Sequence, residues 1–329
     1  MSAPQIVVVA GPTATGKTRL GILLAQTLGG EIVSADSMQV YRRMDVGTAK
    51  ATPAERAAAP HHMLDVAEPW ENYSVSRYVR EAARCCDDIL ARGRLPILVG
   101  GTGLYIDSLL SGRDFAGREE GDEGLRKSLN ARWESEGGEA LLEELRAFDP
   151  ARAARLHPSD RRRIVRAIEI YRLTGETISA HDARTRSLPP RYEAARIHLD
   201  YRSRADLYAR IDARVDAMAA QGLFDEVAAL LDEGVSAACT AMQAIGYKES
   251  AAALRGEISR AEAIERIKRS SRRYAKRQLT WFRRCADARE IFWDGEPDFA
   301  QALRVSTEFL ASRGLSYCTG PGRSGRRTL

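Results

Sequence analysis

The most constraining stretch of the 329-residue chain is VVVAGPTATGKTRL, residues 7 to 20. It contains G-x-x-x-x-G-K-T from Gly11 to Thr18. An apolar run before it reads as a buried strand, and Leu20, Leu23, Leu24 and Leu28 recur behind it at helical spacing. A glycine-rich turn between strand and helix is an anion cradle. Backbone N–H groups of Gly11, Pro12, Thr13, Ala14, Thr15, Gly16, Lys17 and Thr18, proline excepted, surround a phosphate at the helix N-terminus. Lys17 supplies a point charge and Thr18 a hydroxyl for Mg²⁺. The motif specifies a di- or triphosphate and leaves open which one.

This cradle belongs to parallel sheets, and the first 112 residues fit one. Strand signals at IVVVA, EIVSADS, HHMLDV and LPILVGG alternate with helical stretches, and a loop is expected from Tyr41 to Pro60. The expected fold is therefore α/β, a P-loop NTPase-like parallel sheet flanked by helices. Its first part covers residues 1–117. From 118 to 195 only helical patterns occur, which predicts an all-helical insertion domain. IHLDY and IFWD return as strands within a core-completing segment, 196–312, rich in basic helices. The Gly/Arg/Ser-rich tail, 313–329, is expected to be disordered.

Composition restricts the function classes. No apolar run approaches the ~20 residues that span a bilayer, and no basic-then-apolar leader opens the chain, so the expected location is cytoplasmic. Five cysteines form no C-x-x-C pair, which disfavours structural zinc and fits reduced thiols. His61 and His62 are adjacent and lack a third ligand nearby, which favours hydrogen bonding over metal binding. The net charge of +5 is concentrated. Residues 266–284 carry nine Lys/Arg and no acid, and 161–172 carry five Arg against one Glu. One such run is most simply a solvated helix face; two, beside a phosphate loop, are equally compatible with a nucleic-acid surface.

An ATP hydrolase needs a further acid on a neighbouring strand for its Mg²⁺ shell. LPILVGGTG ends in glycines instead. EIVSADSMQVY does end in an acid, Asp36. At a strand end facing the phosphate loop, a carboxylate can repel phosphate, help hold a metal or act as a general base; a turn-forming aspartate is the plainer alternative.

GPTATGKT, DSMQVYRRMDVGTAK, HHMLDV, GGTGLYIDSLLSG, AMQAIGYKE and RRYAKRQLTWFRR, in that order over nearly the whole chain, resemble the tRNA dimethylallyltransferase (tRNA isopentenylpyrophosphate transferase) family. GGTGLY and YAKRQLTWFR are its more specific elements. The resemblance implies transfer of a dimethylallyl group from dimethylallyl diphosphate to the exocyclic amine of the adenosine 3′ of the anticodon, releasing diphosphate. It implies Asp36 as general base, Thr102 beside the reacting amine, and Mg²⁺ at Thr18. Diphosphate contacts would come from the loop and from Arg210 and Arg214, although a solvated helix face explains those two arginines equally well from sequence alone. Contacts to the tRNA anticodon stem-loop would come from Asp36, Ser37, Met38, Gln39 and Thr102; from Arg126, Arg162, Arg163, Ile164, Val165 and Arg166; from Met242, Gln243, Gly246, Tyr247 and Lys248; and from Arg273, Lys276 and Arg277 of a basic clamp. No cysteine pair follows Trp293, so the resemblance is to the bacterial type, which lacks the C-terminal zinc finger of eukaryotic members. A monomer is expected.

Three other readings share the loop. A small-molecule kinase would use it for ATP, with Asp36 as base, and has no use for the basic segments. A prenyltransferase acting on free adenylate would not need the RNA-facing helices. A non-catalytic RNA-binding protein leaves Asp36 and Thr102 unexplained.

Overall fold

The computed structural model describes residues 4–112, 122–285 and 287–315. Six strands, β1 (Gln5–Ala10), β2 (Gly30–Ala35), β3 (His61–His62), β4 (Leu95–Gly100), β5 (Glu193–Tyr201) and β6 (Arg289–Trp293), form one sheet in the order β3-β2-β4-β1-β5-β6. Every pairing is parallel. The central strand β1 is buried on both faces through Ile6, Val7, Val8 and Val9, as an apolar run without alternation requires. Crossovers run through α1 (Lys17–Leu28), α2 (Pro53–Ala58), α3 (Val75–Ala91) and α4 (Gly103–Ser111). The β4 carboxyl end lies between those of β1 and β2, where open parallel sheets hold their ligands.

The expected 41–60 loop contains α2, started by a capping box in which Thr52 and Glu55 bond each other's backbone. HHMLDV pairs with the sheet only at its two histidines. Met63 (φ 64°) and Asp65 (φ 56°) then turn the chain away, and Asp65 accepts from the buried ammonium of Lys50 at 2.7 Å. β5 starts at Glu193, earlier than IHLDY, because its first residues pair with Gln5, Ile6 and Val7.

The chain forms two compact units. Ser111–Arg191 is the smaller, beginning and ending a few residues before the expected insertion. It is helical throughout its described residues: α5 (Glu123–Phe148, broken at Gly137), α6 (Pro150–Ala153), α7 (Arg161–Thr174) and α8 (Ile178–Arg186). Its own core contains Leu129, Leu141, Leu142, Leu145, Ile164 and Ile168. The larger unit continues after β5 with α9 (Arg204–Ala220), α10 (Leu223–Asp232), α11 (Tyr247–Leu254), α12 (Arg260–Phe282) and α13 (Phe299–Ser312). Most of the expected disordered tail, from residue 316 on, lies outside the described residues.

Candidate active site

The phosphate loop is fixed by contacts that its sequence dictates. Gly11 has φ 145°, and a Cβ there would sit 2.3 Å from the Leu199 carbonyl oxygen; only glycine fits. Thr15 is buried and its hydroxyl donates to the Pro12 carbonyl at 2.8 Å, while Trp293 Nε1 donates to the Thr15 carbonyl at 3.0 Å. The loop is thus braced by β6 and closed on itself. α1 follows with glycine at its N-cap, no side-chain cap and no acidic residue in its first turn. Its unpaired amides carry the positive end of the helix dipole, with no acidic side chain of its own first turn to neutralise it.

Asp36 follows β2 and Thr102 follows β4, so the pairing of those strands brings them together. Thr102 N–H donates to the Ala35 carbonyl at 3.1 Å, and Ser37 N–H donates to Thr102 Oγ1 at 3.1 Å. Asp36 Oδ1 accepts from the N–H groups of Met38 (2.9 Å) and Gln39 (3.4 Å). One carboxylate oxygen is committed to its turn, and Oδ2 has no hydrogen bond within the described residues. Burial, with the Asp36 charge adding to it, pushes the phenol of Tyr274 on α12 up to about 12, so it remains a proton donor.

Asp36, Ser37 and Tyr274 open on one cavity of about 370 Å³, whose lining includes Gly101 but not the expected Thr102. Thr13, Ala14, Gly16, Lys17 and Thr18 line its phosphate end, with Asp36, Ser37, Met38 and Gln39 at the end of β2. Ile211, Val215, Met218 and Ile267 give it an apolar wall. Lys17 donates to the Pro12 carbonyl at 2.7 Å. Burial and, after it, the Arg214 charge bring its ammonium down to about 7, with Asp36 partly offsetting both. Arg214 also lines the cavity and is held below its usual value by burial. Two partly buried cations beside one carboxylate leave positive charge that a phosphate ligand can neutralise.

Arg210 does not join Arg214. It does not line the cavity and pairs with Glu296 at 2.8 Å. Four-residue spacing placed both on one side of α9, but the side that faces the cavity is that of Ile211, Arg214, Val215 and Met218, which leaves Arg210 out. Gln39 lines the cavity with both ends of its amide engaged, accepting from the Ser34 hydroxyl and donating to the carbonyls of Thr48 and Ala49. Gln243 is exposed and lines the mouth, as does the backbone of Gly246; Lys248 is exposed. Met242 and Tyr247, however, are fully buried and cannot present side chains to RNA. Tyr247 instead donates to Glu226 Oε1 at 2.6 Å. Glu226 also accepts from the N–H groups of Asp45, Val46 and Gly47, which fixes the loop beyond Gln39. Nothing in DEVAALLDEG distinguishes this glutamate from a surface acid before the chain is folded.

In the smaller unit, Arg162 and Arg163 are exposed. Ile164 and Val165 belong to that unit's core, which corrects their expected contact with RNA. Arg126 and Arg166 bind opposite oxygens of the buried Glu169, at 2.8 and 2.9 Å. Their charges are partly spent on keeping that carboxylate paired.

α12 divides its charges in two. Arg266, Lys268 and Arg272 pair with Glu262, Asp216 and Asp212. Arg273 and Lys276 are exposed without a carboxylate partner among the described residues. With Arg277, Thr280, Trp281 and Arg284 they line a shallow groove, and Arg277 also lines the cavity. A cationic groove therefore borders the cavity mouth, built from the second half of the expected clamp only. Gln278, buried on the opposite side of this helix, reaches the phosphate loop; the sequence reading missed it because it sits inside a basic run.

The IPP transferase family model matches residues 39–285, and the isopentenyl transferase model matches residues 4–65. A protein of Geobacillus thermodenitrificans named tRNA dimethylallyltransferase is 51% identical over 85% of this chain and 87% of its own. One from Thermoanaerobacter of the same name is 44% identical over 94% and 99%. Among solved structures, the tRNA isopentenylpyrophosphate transferase of Bacillus halodurans is 42% identical, covers 95% of this chain and 97% of its own, and superposes with a TM-score of 0.70. A eukaryotic dimethylallyltransferase acting on tRNA is 29% identical over 94% of this chain and 80% of its own, with a TM-score of 0.78.

Proposed function

The chain belongs to the IPP transferase family of tRNA prenyltransferases, and from that premise we propose that it moves a dimethylallyl group from dimethylallyl diphosphate to the exocyclic amine of the adenosine 3′ of the tRNA anticodon. The observation that carries this reading is the make-up of one cavity: an anion cradle with two partly buried cations, a carboxylate, and an apolar wall. A kinase explains the first two and leaves the apolar wall and the bordering cationic groove unused.

In the reaction, the bond between the prenyl C1 and the diphosphate oxygen breaks and a bond from C1 to the adenine nitrogen forms. The amine is a weak nucleophile because its lone pair is delocalised into the ring. It becomes acidic as the new bond forms, and its proton passes to Asp36 Oδ2. Thr102, held by Ser37 N–H, orients the base. On the other side, the amides of the loop and of the α1 N-terminus, Lys17 and Arg214 stabilise the charge that accumulates on the departing diphosphate. The apolar wall of Ile211, Val215, Met218 and Ile267 accommodates the five-carbon group and keeps water from the cationic carbon. The base reaches this depth only by leaving its stack, and exposed Arg273, Lys276 and Arg277 hold the backbone from which it is turned out.

Mg²⁺ fits this site. Thr18 and Asp36 line the same cavity. No three-residue His/Cys/Asp/Glu cluster exists among the described residues, which suits a metal that takes its remaining ligands from phosphate and water. When bound, Mg²⁺ supplies further charge neutralisation to the leaving diphosphate.

The test is incubation with unmodified tRNA, Mg²⁺ and either dimethylallyl diphosphate or ATP. A five-carbon mass gain on the adenosine beside the anticodon is expected with the first donor only. ATP-dependent phosphorylation without any gain on tRNA would replace this reading with the kinase.

A further inference from the structure

Gln278 is the single polar residue among the buried positions of α12, which are otherwise Ala263, Ile267, Ala275 and Phe282. Its carboxamide Oε1 accepts from Thr13 N–H at 3.0 Å, and its Nε2 donates to the Gly101 carbonyl at 2.9 Å. The two partners fix the amide's orientation, since a backbone N–H can only donate and a carbonyl can only accept. The approach is close: a Cβ on residue 101 would lie 2.2 Å from Nε2, which explains a glycine there.

Thr13 belongs to the loop that holds the leaving group. Gly101 immediately precedes Thr102, on the side of the nucleophile. We propose that Gln278 is a positioning residue whose carboxamide sets the separation between the phosphate loop and the Asp36–Thr102 pair, and with it the distance over which the C–N bond forms. The inference rests on the transfer reading above. A leucine of similar size would continue the apolar stripe without burying a polar group. The amide is tolerated because both its ends are satisfied, by one bond to each loop. The geometry also means that the Thr13 N–H is not offered to phosphate; it is the loop's attachment to α12. A displacement of about 1 Å between bound reactants can lower a rate by about a hundredfold, and this bridge is a device for preventing one.

Two measurements test it. In Gln278→Leu, kcat should fall about a hundredfold while KM for dimethylallyl diphosphate and for tRNA stays within about threefold. Amide exchange in the peptides spanning 10–18 and 99–105 should accelerate together, about tenfold or more, because both anchors are lost. Gln278→Glu should restore protection to the first peptide only, since a carboxylate still accepts from Thr13 but cannot donate to Gly101; a residue that merely fills space would not divide the two. Should the leucine variant fail to fold, Gln278→Asn keeps the amide, is too short to span both partners, and should give the same split. Wild-type kcat, or unchanged exchange in both peptides, overturns the proposal. The exchange readout needs no turnover, so it decides the role of Gln278 even where wild-type protein transfers no prenyl group, a result that would instead sink the proposed reaction.

Discussion

Asp36 and Lys17 open on the same cavity, and the charge of each affects the other. Asp36 has a committed oxygen and an open one, the arrangement a general base needs: a fixed direction and a vacant lone pair. Asp36→Asn keeps the shape, and its amide oxygen can still accept from Met38 and Gln39. It should lower kcat about a hundred- to ten-thousandfold with tRNA affinity changed less than about twofold, measured by single-turnover transfer and by filter binding. Near-wild-type transfer would remove Asp36 from the mechanism. Lys17 gives a pH prediction with a definite sign. Its folded value of about 7 lies below the ordinary 10.5, so in the ligand-free protein it loses its proton as pH rises through 7. An incoming diphosphate favours the charged form and raises that value. Diphosphate binding above pH 7 should therefore take up a proton, and affinity should weaken by up to about tenfold per pH unit. Calorimetry at pH 8 in two buffers of different ionisation enthalpy reads the uptake; equal apparent enthalpies would show Lys17 already charged. The same shift acts on folding. Between pH 7 and 10.5 the unfolded chain holds more protons at this position, so its contribution to stability improves as pH rises across that window.

α12 carries two surfaces along one axis. Its inward stripe, with Tyr274 beside it, touches Thr102 and the phosphate loop, and its outward face ends in the unpaired Arg273 and Lys276. The distinction predicts opposite phenotypes for adjacent arginines. Arg273→Ala with Lys276→Ala should weaken tRNA binding, reduce the slope of log affinity against log salt by about 1 to 2, and leave Tm unchanged. Arg272→Ala breaks a half-buried pair with Asp212 at 2.5 Å. It should lower stability by about 1 kcal/mol while the salt slope holds. An unaltered slope in the double variant would move the RNA surface elsewhere. This division marks the limit of what the sequence revealed. The phosphate loop and Asp36 were legible because local chemistry defines each of them, a glycine turn and an acid at a strand end, whereas Thr102 was named only through the family resemblance of GGTGLY. Which arginine of a basic run faces an acid from another helix depends on packing, so Arg272 and Arg273 look equivalent until α9 brings Asp212 against the first. Buried Met242 and Tyr247 were misjudged for the same reason, since a motif gives proximity to a site and not the direction of a side chain. Glu226 and Gln278 went unseen because their partners are backbone N–H and C=O groups, which have no sequence signature.

At the scale of the molecule, the sheet was readable as alternating strand and helix patterns, and the insertion as their interruption. Its edges were less clear, because small residues such as Ala194 and Ala195 carry little strand signal on their own and enter β5 by pairing with β1. What the sequence could not express is how the chain leaves and re-enters the larger unit. Tyr192 N–H donates to the Leu110 carbonyl at 3.3 Å, so the exit and the return are hydrogen-bonded neighbours within that unit. The Tyr192 hydroxyl meanwhile donates to Asp87 Oδ1 at 2.5 Å, anchoring the return to α3. The smaller unit has its own apolar core and its own buried charge centre at Glu169. Two cores and adjoining ends make the insertion separable. Replacing residues 112–190 with a short Gly/Ser link should leave a larger unit that folds cooperatively and binds inorganic diphosphate within about threefold of the full chain, since the phosphate loop, Lys17, Arg214 and Gln278 all belong to it. Closing a short link costs little chain entropy when its ends already meet. Affinity for tRNA should fall by more than tenfold, about 1.4 kcal/mol, because exposed Arg162 and Arg163 leave with the insertion while Arg273, Lys276 and Arg277 remain. Calorimetry with diphosphate and a binding curve with tRNA separate the two effects. Diphosphate affinity lost along with tRNA affinity would mean that the larger unit depends on the insertion for its fold, whereas tRNA affinity fully retained would assign the entire RNA surface to α12 and its neighbours.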